Sequence, residues 1–158
     1  MTEDELREIA TDFRQAVEDS DLSEASIGKE ANIRVGDFPD SACAEISTVL
    51  GIVLTQMHNV TPLVEIVAQI ENDKKEWYGT HHWLEHNGII IDITADQFEM
   101  IKDKVIVSDD SQFHKEYGKQ IETYSENFDI DKQFEWIKPI YDEIVPRYEA
   151  ILEAKNKK

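Results

Sequence analysis

The chain has 158 residues, of which 41% are hydrophobic, and its 34 acidic and 16 basic residues give a formal net charge of -18. This length supports one folded domain, residues 1–158, with a substantial core. The negative charge argues against binding to nucleic acid or to an anionic membrane, because both need a cationic surface, whereas a cationic protein or peptide would be attracted.

The first segment is predicted to be a helix. Thr2 and Glu5 have the spacing of a capping box, and apolar residues recur every three or four positions from Leu6 to Val17. Residues 19–30 are polar and predict a connection to the next element.

A second helix is predicted to begin just before Cys43. Pro39 interrupts regular structure, and Asp40 and Ser41 are both good helix caps. The apolar stripe that follows is wide enough for the central buried helix of the domain. Its members are Ile46, Val49, Leu50, Val53, Leu54 and Met57.

The middle of the chain has the pattern of antiparallel strands. Pro62 ends the second helix, and residues 63–70, LVEIVAQI, are rich in β-branched residues over a strand-like length. Asn87-Gly88 then separates YGTHHWLEH from GIIIDIT, which predicts a β-hairpin with a two-residue turn. Residues 104–108, KVIVS, predict another short strand.

The last segment, residues 131–158, has helical periodicity, and we expect Pro139 and Pro146 to kink or divide the helix. The order of elements is helix, long helix, strands and helix. It predicts an α+β fold in which a central helix bearing Cys43 packs on a small antiparallel sheet, with further helices at both ends.

Neither a membrane span nor an export signal is evident. The first residues, MTEDELREIA, contain no basic leader and no apolar run, and no stretch approaches the roughly 18 apolar residues of a span. We therefore expect a cytoplasmic protein. Cys43 is the only cysteine, so an internal disulfide is excluded and one free thiol needs an explanation.

Cys43 is placed where a thiol can become reactive. The first turn of a helix offers backbone N–H groups and the positive end of the helix dipole, and both favour the thiolate. Nearby acidic residues such as Asp40 and Glu45 oppose this effect, so a histidine partner would be needed. Taken alone, Cys43 also fits a small buried apolar residue.

The hairpin supplies that partner. A two-residue turn at 87–88 would place one set of side chains on a single face, with His81 diagonal to Asp92. The set comprises His81, Trp83, Asp92 and Thr94. His82 would point to the opposite, mainly apolar face. A slip of one residue in the register would exchange the two histidines.

Two segments, DSACAEISTVLGIVL and THHWLEHNGIIIDITADQF, resemble the core of the transglutaminase-like branch of the papain-fold cysteine hydrolases. In that branch a nucleophilic cysteine opens a helix, a histidine lies in an H-x-W strand and an aspartate lies in a D-x-T strand. The matching positions are Cys43, His81 and Asp92, and the resemblance spans residues 38–98. The chain departs from the family at His82, in lacking a tryptophan before the cysteine, and in having no glutamine in the loop before Cys43.

The resemblance implies a cysteine hydrolase that acts on an amide of a peptide or side chain through an acyl-enzyme. The Cys43 thiolate would attack the carbonyl, His81 would take and return a proton, and Asp92 would fix the imidazole tautomer. Trp83 would shield this pair or contact substrate, and a role as a core residue stays open. We expect a protein or peptide substrate of cationic character and no cofactor.

Two other classes of function remain open. His81, His82, Glu85 and His86 are all potential metal ligands, but consecutive residues of a strand point to opposite faces, so we expect no metal site. The acidic composition also fits a non-enzymatic interaction protein, such as a DNA mimic or an inhibitor.

Overall fold

The computed structural model describes residues 1–22, 42–71, 77–116 and 123–158. Over these ranges the fold is α+β, with four α-helices and one five-stranded antiparallel sheet of order β4-β3-β2-β1-β5. The elements are α1 (Glu3–Glu18), α2 (Cys43–His58), β1 (Val64–Glu71), β2 (Trp77–His86), β3 (Ile89–Asp92), β4 (Ile106–Ser108), α3 (Gln112–Glu116), β5 (Thr123–Asn127) and α4 (Ile130–Asn156). A short 3-10 turn, Ala95–Gln97, follows β3.

The capping box predicted for the first helix is confirmed. The Glu5 backbone N–H donates to Thr2 Oγ1 at 3.2 Å, and the Thr2 backbone N–H donates to Glu5 Oε2 at 2.7 Å. Two N–H groups at the helix terminus are thereby satisfied. The apolar face of α1, from Leu6 to Val17, is buried in the main core.

Helix α2 begins at Cys43, as predicted, and is the most deeply buried helix of the fold. Every residue from Ile46 to Leu54 is buried, and the helix packs on β2 and α4. Met57, the last member of the predicted stripe, is instead 37% exposed because it lies in the final turn, beyond the sheet-covered part. The capping residue is Ala42, which makes no side-chain cap. The predicted caps at residues 40 and 41 lie outside the described ranges.

The hairpin has the predicted register, with His86 opposite Ile89 and Leu84 opposite Ile91. Asn87 and Gly88 both have positive φ, 49° and 81°, which a type I′ turn requires. A two-residue turn leaves no freedom to shift the strands by one residue. Which side chain of β2 points to which face is therefore fixed locally.

The two faces of the sheet are both covered. Leu84 and Ile91 join the main core with the helices, whereas Trp83 and Ile90 belong to a separate cluster. The face of His81 and Asp92, predicted to be polar, thus also carries apolar residues and is covered. Aromatic side chains from the segment after β3, including Phe98, cover the polar face, so its ionisable groups are buried.

Helix α4 continues through both of its prolines, so of the two expected effects, a kink or a division, the helix is not divided. Each proline removes one backbone hydrogen bond. The buried side chains of α4 offset this loss by packing on α1 and α2; they are Ile137, Ile140, Ile144, Val145 and Tyr148. No helix in the described ranges combines the length and apolar content needed to cross a bilayer.

Arg14 fixes the turn after β3 to α1. It is only 5% exposed, its two terminal nitrogens bond the two Asp96 oxygens at 2.7 Å each, and Nη1 also donates to the Ile93 carbonyl at 2.6 Å. Such a bidentate, buried ion pair is geometrically specific. It holds the residues that follow the Asp92 strand in place.

We expect Arg14→Ala to lower the free energy of unfolding by about 3–5 kcal/mol, because it leaves the Asp96 carboxylate without its buried partner. Arg7, on the same helix, is 43% exposed at its side chain and pairs with Glu3 and Asp4. The control Arg7→Ala also removes a donor from the Val107 carbonyl and should cost about 1–2 kcal/mol. Urea unfolding measures both, and equal losses would contradict the assignment.

Candidate active site

The structure brings His81 and Asp92 together from neighbouring strands. His81 Nε2 lies 2.6 Å from Asp92 Oδ2, and the two residues are 0% and 1% exposed. They are related by the diagonal that the hairpin register predicts. An ionised carboxylate only accepts hydrogen bonds, so Nε2 carries the proton and Nδ1 is left as the acceptor in the neutral ring.

Asp92 is held by four hydrogen bonds. Its Oδ2 accepts from His81 and from His114 Nε2 at 2.8 Å, and its Oδ1 accepts from the Thr94 backbone N–H at 2.9 Å and the Thr94 hydroxyl at 3.4 Å. Burial alone would raise the pKa of this carboxyl. The His81 charge and the hydrogen bonds from both histidines instead hold the pKa of Asp92 well below its usual range.

Cys43 lies beside the same histidine, at the start of α2. Its thiol donates to the Thr80 carbonyl oxygen at 3.9 Å, and its side chain lies close enough to His81 to raise the pKa of that imidazole. Because Asp92 occupies His81 Nε2, Nδ1 is the ring nitrogen that remains available to the thiol. The three residues form the chain thiol, imidazole and carboxylate, which is the order that nucleophilic catalysis requires.

The charge state of His81 follows from its surroundings. Burial favours the neutral ring, but the Asp92 carboxylate and the contacts with Cys43 outweigh it and raise the pKa of His81 to about 9. The Asp92 carboxylate thus favours the imidazolium, in which Nδ1 as well as Nε2 carries a proton. In that form the ring is a proton donor beside the Cys43 side chain.

His82 takes no part in this chain. Its Nδ1 lies 3.3 Å from Glu65 Oε1, on the side of the strand opposite to His81. The hydroxyl of Ser47, on α2, donates to the His82 carbonyl at 3.3 Å. The adjacent histidines thus have separate surroundings, and only His81 meets both Cys43 and Asp92.

His114 is a member of the site that the sequence analysis missed. It is 6% exposed, and Ser111 Oγ lies 2.6 Å from its Nδ1, so the ring is held at both nitrogens. A serine just before a short helix and a histidine three residues later, within it, give no distinctive signal. Only the packing of α3 against the sheet brings His114 to Asp92.

Trp83 covers the two histidines. Its ring centroid lies 5.7 Å from that of His81 and 4.8 Å from that of His114, and the side chain is 5% exposed. Its indole N–H donates to Glu85 at 3.2 Å. This placement favours the shielding role over direct contact with substrate, and the substrate-binding role of Trp83 stays a prediction.

Gln97 is the second residue that the sequence analysis missed. Its side-chain Nε2 lies 2.9 Å from His81 Nδ1, the ring nitrogen that Asp92 leaves available. An amide nitrogen only donates, so this contact belongs to the neutral ring and is lost when Nδ1 takes a proton to give the imidazolium. Gln97 lies in the DITADQF stretch, three residues after Thr94. Its closeness in sequence to Asp92 was the available signal that it belongs to the site.

His82 and His86, two of the potential ligands in the segment where no metal site is expected, have separate partners. His82 bonds Glu65, and His86 Nδ1 lies 2.7 Å from the Pro62 carbonyl oxygen. In the described ranges, the group with metal-ligand spacing is His81, Asp92 and His114. Both imidazoles contact one carboxylate oxygen at 2.6 and 2.8 Å, closer than the roughly 3.3 Å between ligands on tetrahedral zinc. The geometry is that of a hydrogen-bonded chain.

The pH dependence of stability should reveal the His81–Asp92 pair. The pKa of His81 is raised from 6.5 to about 9, so its contribution is complete below 6.5 and is lost as the pH rises through 9. The pKa of Asp92 is lowered, so its contribution is lost only in acid. We expect the stability difference between wild type and His81→Gln to shrink by on the order of 3 kcal/mol between about pH 6 and pH 9.5. Urea unfolding at both pH values measures it, and an unchanged difference would contradict the pairing.

Comparisons of the chain with protein-family models, with curated proteins and with solved structures found no match. The function must therefore be argued from the site itself. The observations that bear on it are the order of the three groups, their burial and their hydrogen bonds.

Proposed function

We propose that the protein is a cysteine hydrolase, or a related acyl transferase, in which Cys43, His81 and Asp92 form the catalytic triad. The observation that carries the proposal is that one imidazole contacts the Cys43 thiol and bonds Asp92 Oδ2 at 2.6 Å. Each group alone has an ordinary structural explanation. A buried chain of nucleophile, base and orienting carboxylate has a specific chemical explanation, which is nucleophilic catalysis.

The reaction begins at the Cys43–His81 pair. The thiolate attacks the carbonyl carbon of an amide or ester, and the imidazolium of His81 then protonates the leaving group to give a thioester on Cys43. Water, or an amine, adds next, with His81 taking its proton. Asp92, fixed by Thr94 and His114, holds the ring so that Nδ1 faces the sulfur throughout.

The start of α2 can stabilise the oxyanion. The N-cap residue of α2 is Ala42, and its side chain accepts no hydrogen bond from the first-turn N–H groups, which include that of Cys43. Backbone N–H groups at a helix N-terminus are effective donors to developing negative charge. The nucleophile and one oxyanion donor would then belong to the same residue.

The resemblance to the transglutaminase-like branch agrees with this arrangement. Cysteine at the head of a buried helix, histidine on one strand and aspartate on the next occur here in that order, within a helix-on-sheet core. We infer a papain-like or transglutaminase-like core on these grounds. The excess of acidic residues favours a cationic protein or peptide as substrate, through long-range attraction.

Trapping the acyl-enzyme tests the proposal. The full-length protein is mixed with p-nitrophenyl acetate at about pH 7, quenched in acid and digested for mass spectrometry, because a reactive thiol accepts the acetyl group. We expect acetylation of Cys43, strongly reduced in His81→Gln. An unmodified Cys43 in the wild-type protein would leave the alternative of a non-enzymatic acidic interaction protein.

A further inference from the structure

Gln97 lies beside the reactive part of His81, so its side chain can do more than hold the imidazole ring in place. Its amide nitrogen lies 2.9 Å from His81 Nδ1, the ring nitrogen that Asp92 leaves available, and Cys43 lies beside the same imidazole. The amide and the nucleophile therefore approach one ring.

We propose that Gln97 is a catalytic residue whose side-chain N–H stabilises the oxyanion formed when Cys43 attacks a carbonyl. The inference rests on the proposed function and adds the side-chain donor that the loop before Cys43 lacks, since that loop contains no glutamine. With the backbone N–H of Cys43, it would supply two donors to one oxygen.

The protonation of His81 controls when this donor acts. As the sulfur–carbon bond forms, the thiol proton resides on Nδ1 and the carbonyl π electrons move onto oxygen. A protonated Nδ1 no longer accepts from Gln97, so the amide N–H turns to the new oxyanion. When the tetrahedral intermediate collapses, the bond to the leaving group breaks, the leaving group takes the proton from Nδ1, and Nδ1 can accept from Gln97 again.

The backbone of Gln97 is held in place for this role. It ends the 3-10 turn Ala95–Gln97, and its N–H donates to the Thr94 carbonyl at 3.2 Å. The preceding residue, Asp96, is clamped by buried Arg14. Phe98, the next residue, packs edge-on against the His81 ring with centroids 5.0 Å apart. An oxyanion donor needs this preorganisation, because a donor that must be ordered during the reaction loses part of its effect.

Two reactions of the same thiol separate an oxyanion donor from a residue that only positions His81. Acylation by p-nitrophenyl acetate forms an oxyanion, whereas alkylation by iodoacetamide does not. For Gln97→Ala and the similarly shaped Gln97→Met, we expect the acylation rate constant to fall by roughly 10²–10³. The alkylation rate and its pH profile should stay close to wild type. Gln15→Ala, at an exposed glutamine of α1, is the control and should change neither rate.

Each outcome decides the proposal. Parallel losses in acylation and alkylation would make Gln97 a positioning residue and overturn the oxyanion role, as would acylation that is unchanged or faster. Wild-type protein without any Cys43-dependent release of nitrophenolate would instead refute the proposed function. Urea midpoints equal to that of the wild type exclude misfolding, and Gln97→Met keeps the test valid if Gln97→Ala unfolds.

Discussion

Cys43→Ala is expected to abolish hydrolysis while the protein remains folded. The substitution removes a single sulfur from the first turn of α2, and Cys43 lies outside the main hydrophobic cluster, so little packing is lost. Activity requires that sulfur as the nucleophile, and no other thiol is present in the chain. Turnover should fall to the uncatalysed rate, measured as nitrophenolate release from p-nitrophenyl acetate.

Ser47→Ala is the matched control for this variant, because it removes one buried side-chain group a single turn further along α2. Its hydroxyl donates to the His82 carbonyl, so its loss should cost about 1 kcal/mol of stability and leave turnover unchanged. Turnover by Cys43→Ala at the wild-type rate would show that the nucleophile is not Cys43. A loss of turnover in both variants would point to distortion of α2 instead.

The second large effect distinguishes the two adjacent histidines. His81→Ala should lower kcat by roughly 10²–10⁴, because it removes the base that exchanges the thiol proton. His82→Ala should keep nearly full activity, since His82 bonds Glu65 at 3.3 Å and does not contact Asp92. Steady-state kinetics of the two variants on one substrate measure the difference.

The fold must be checked separately for His81→Ala, because the side chain is fully buried and its removal leaves Asp92 with one fewer donor. His81→Gln keeps much of the volume and a donor, and should be folded but equally inactive. The reverse pattern, an inactive His82→Ala beside an active His81→Ala, would show that the strand register and the triad are both wrong.

The strands of the site could be predicted because their signals are local. Asn87-Gly88 fixes the turn, the turn fixes the register, and the register determines that His81 and Asp92 share a face. The start of α2 at Cys43 was similarly visible in the change from Pro39 to an apolar stripe. Short-range rules of this kind are sufficient when one turn type decides the arrangement.

The remainder of the site depends on contacts between distant segments. His114 reaches Asp92 across 22 residues, and Gln97 reaches His81 across 16, through packing that no periodicity encodes. The covering of the polar face by Phe98 and Phe113 was missed for the same reason. The continuous helix through Pro139 shows the opposite case, in which tertiary packing outweighs a strong local rule.

The shared carboxylate is the central structural feature of this site. Asp92 accepts from two histidines on one oxygen and from Thr94 on the other, so its ionisation and its orientation are both fixed. The same carboxylate favours the cationic form of His81. The polar chain from Ser111 through His114 and Asp92 to His81 extends from α3 to the head of α2.

The most direct test of this account is the rate of Cys43 alkylation by iodoacetamide at about pH 6, where an ordinary thiol is almost entirely protonated. A thiolate paired with the His81 imidazolium should react in the folded protein about tenfold or more faster than in the urea-unfolded chain, and His81→Gln should abolish that advantage. Equal or slower reaction in the folded wild-type protein would show that Cys43 is an inert buried side chain and would contradict the account.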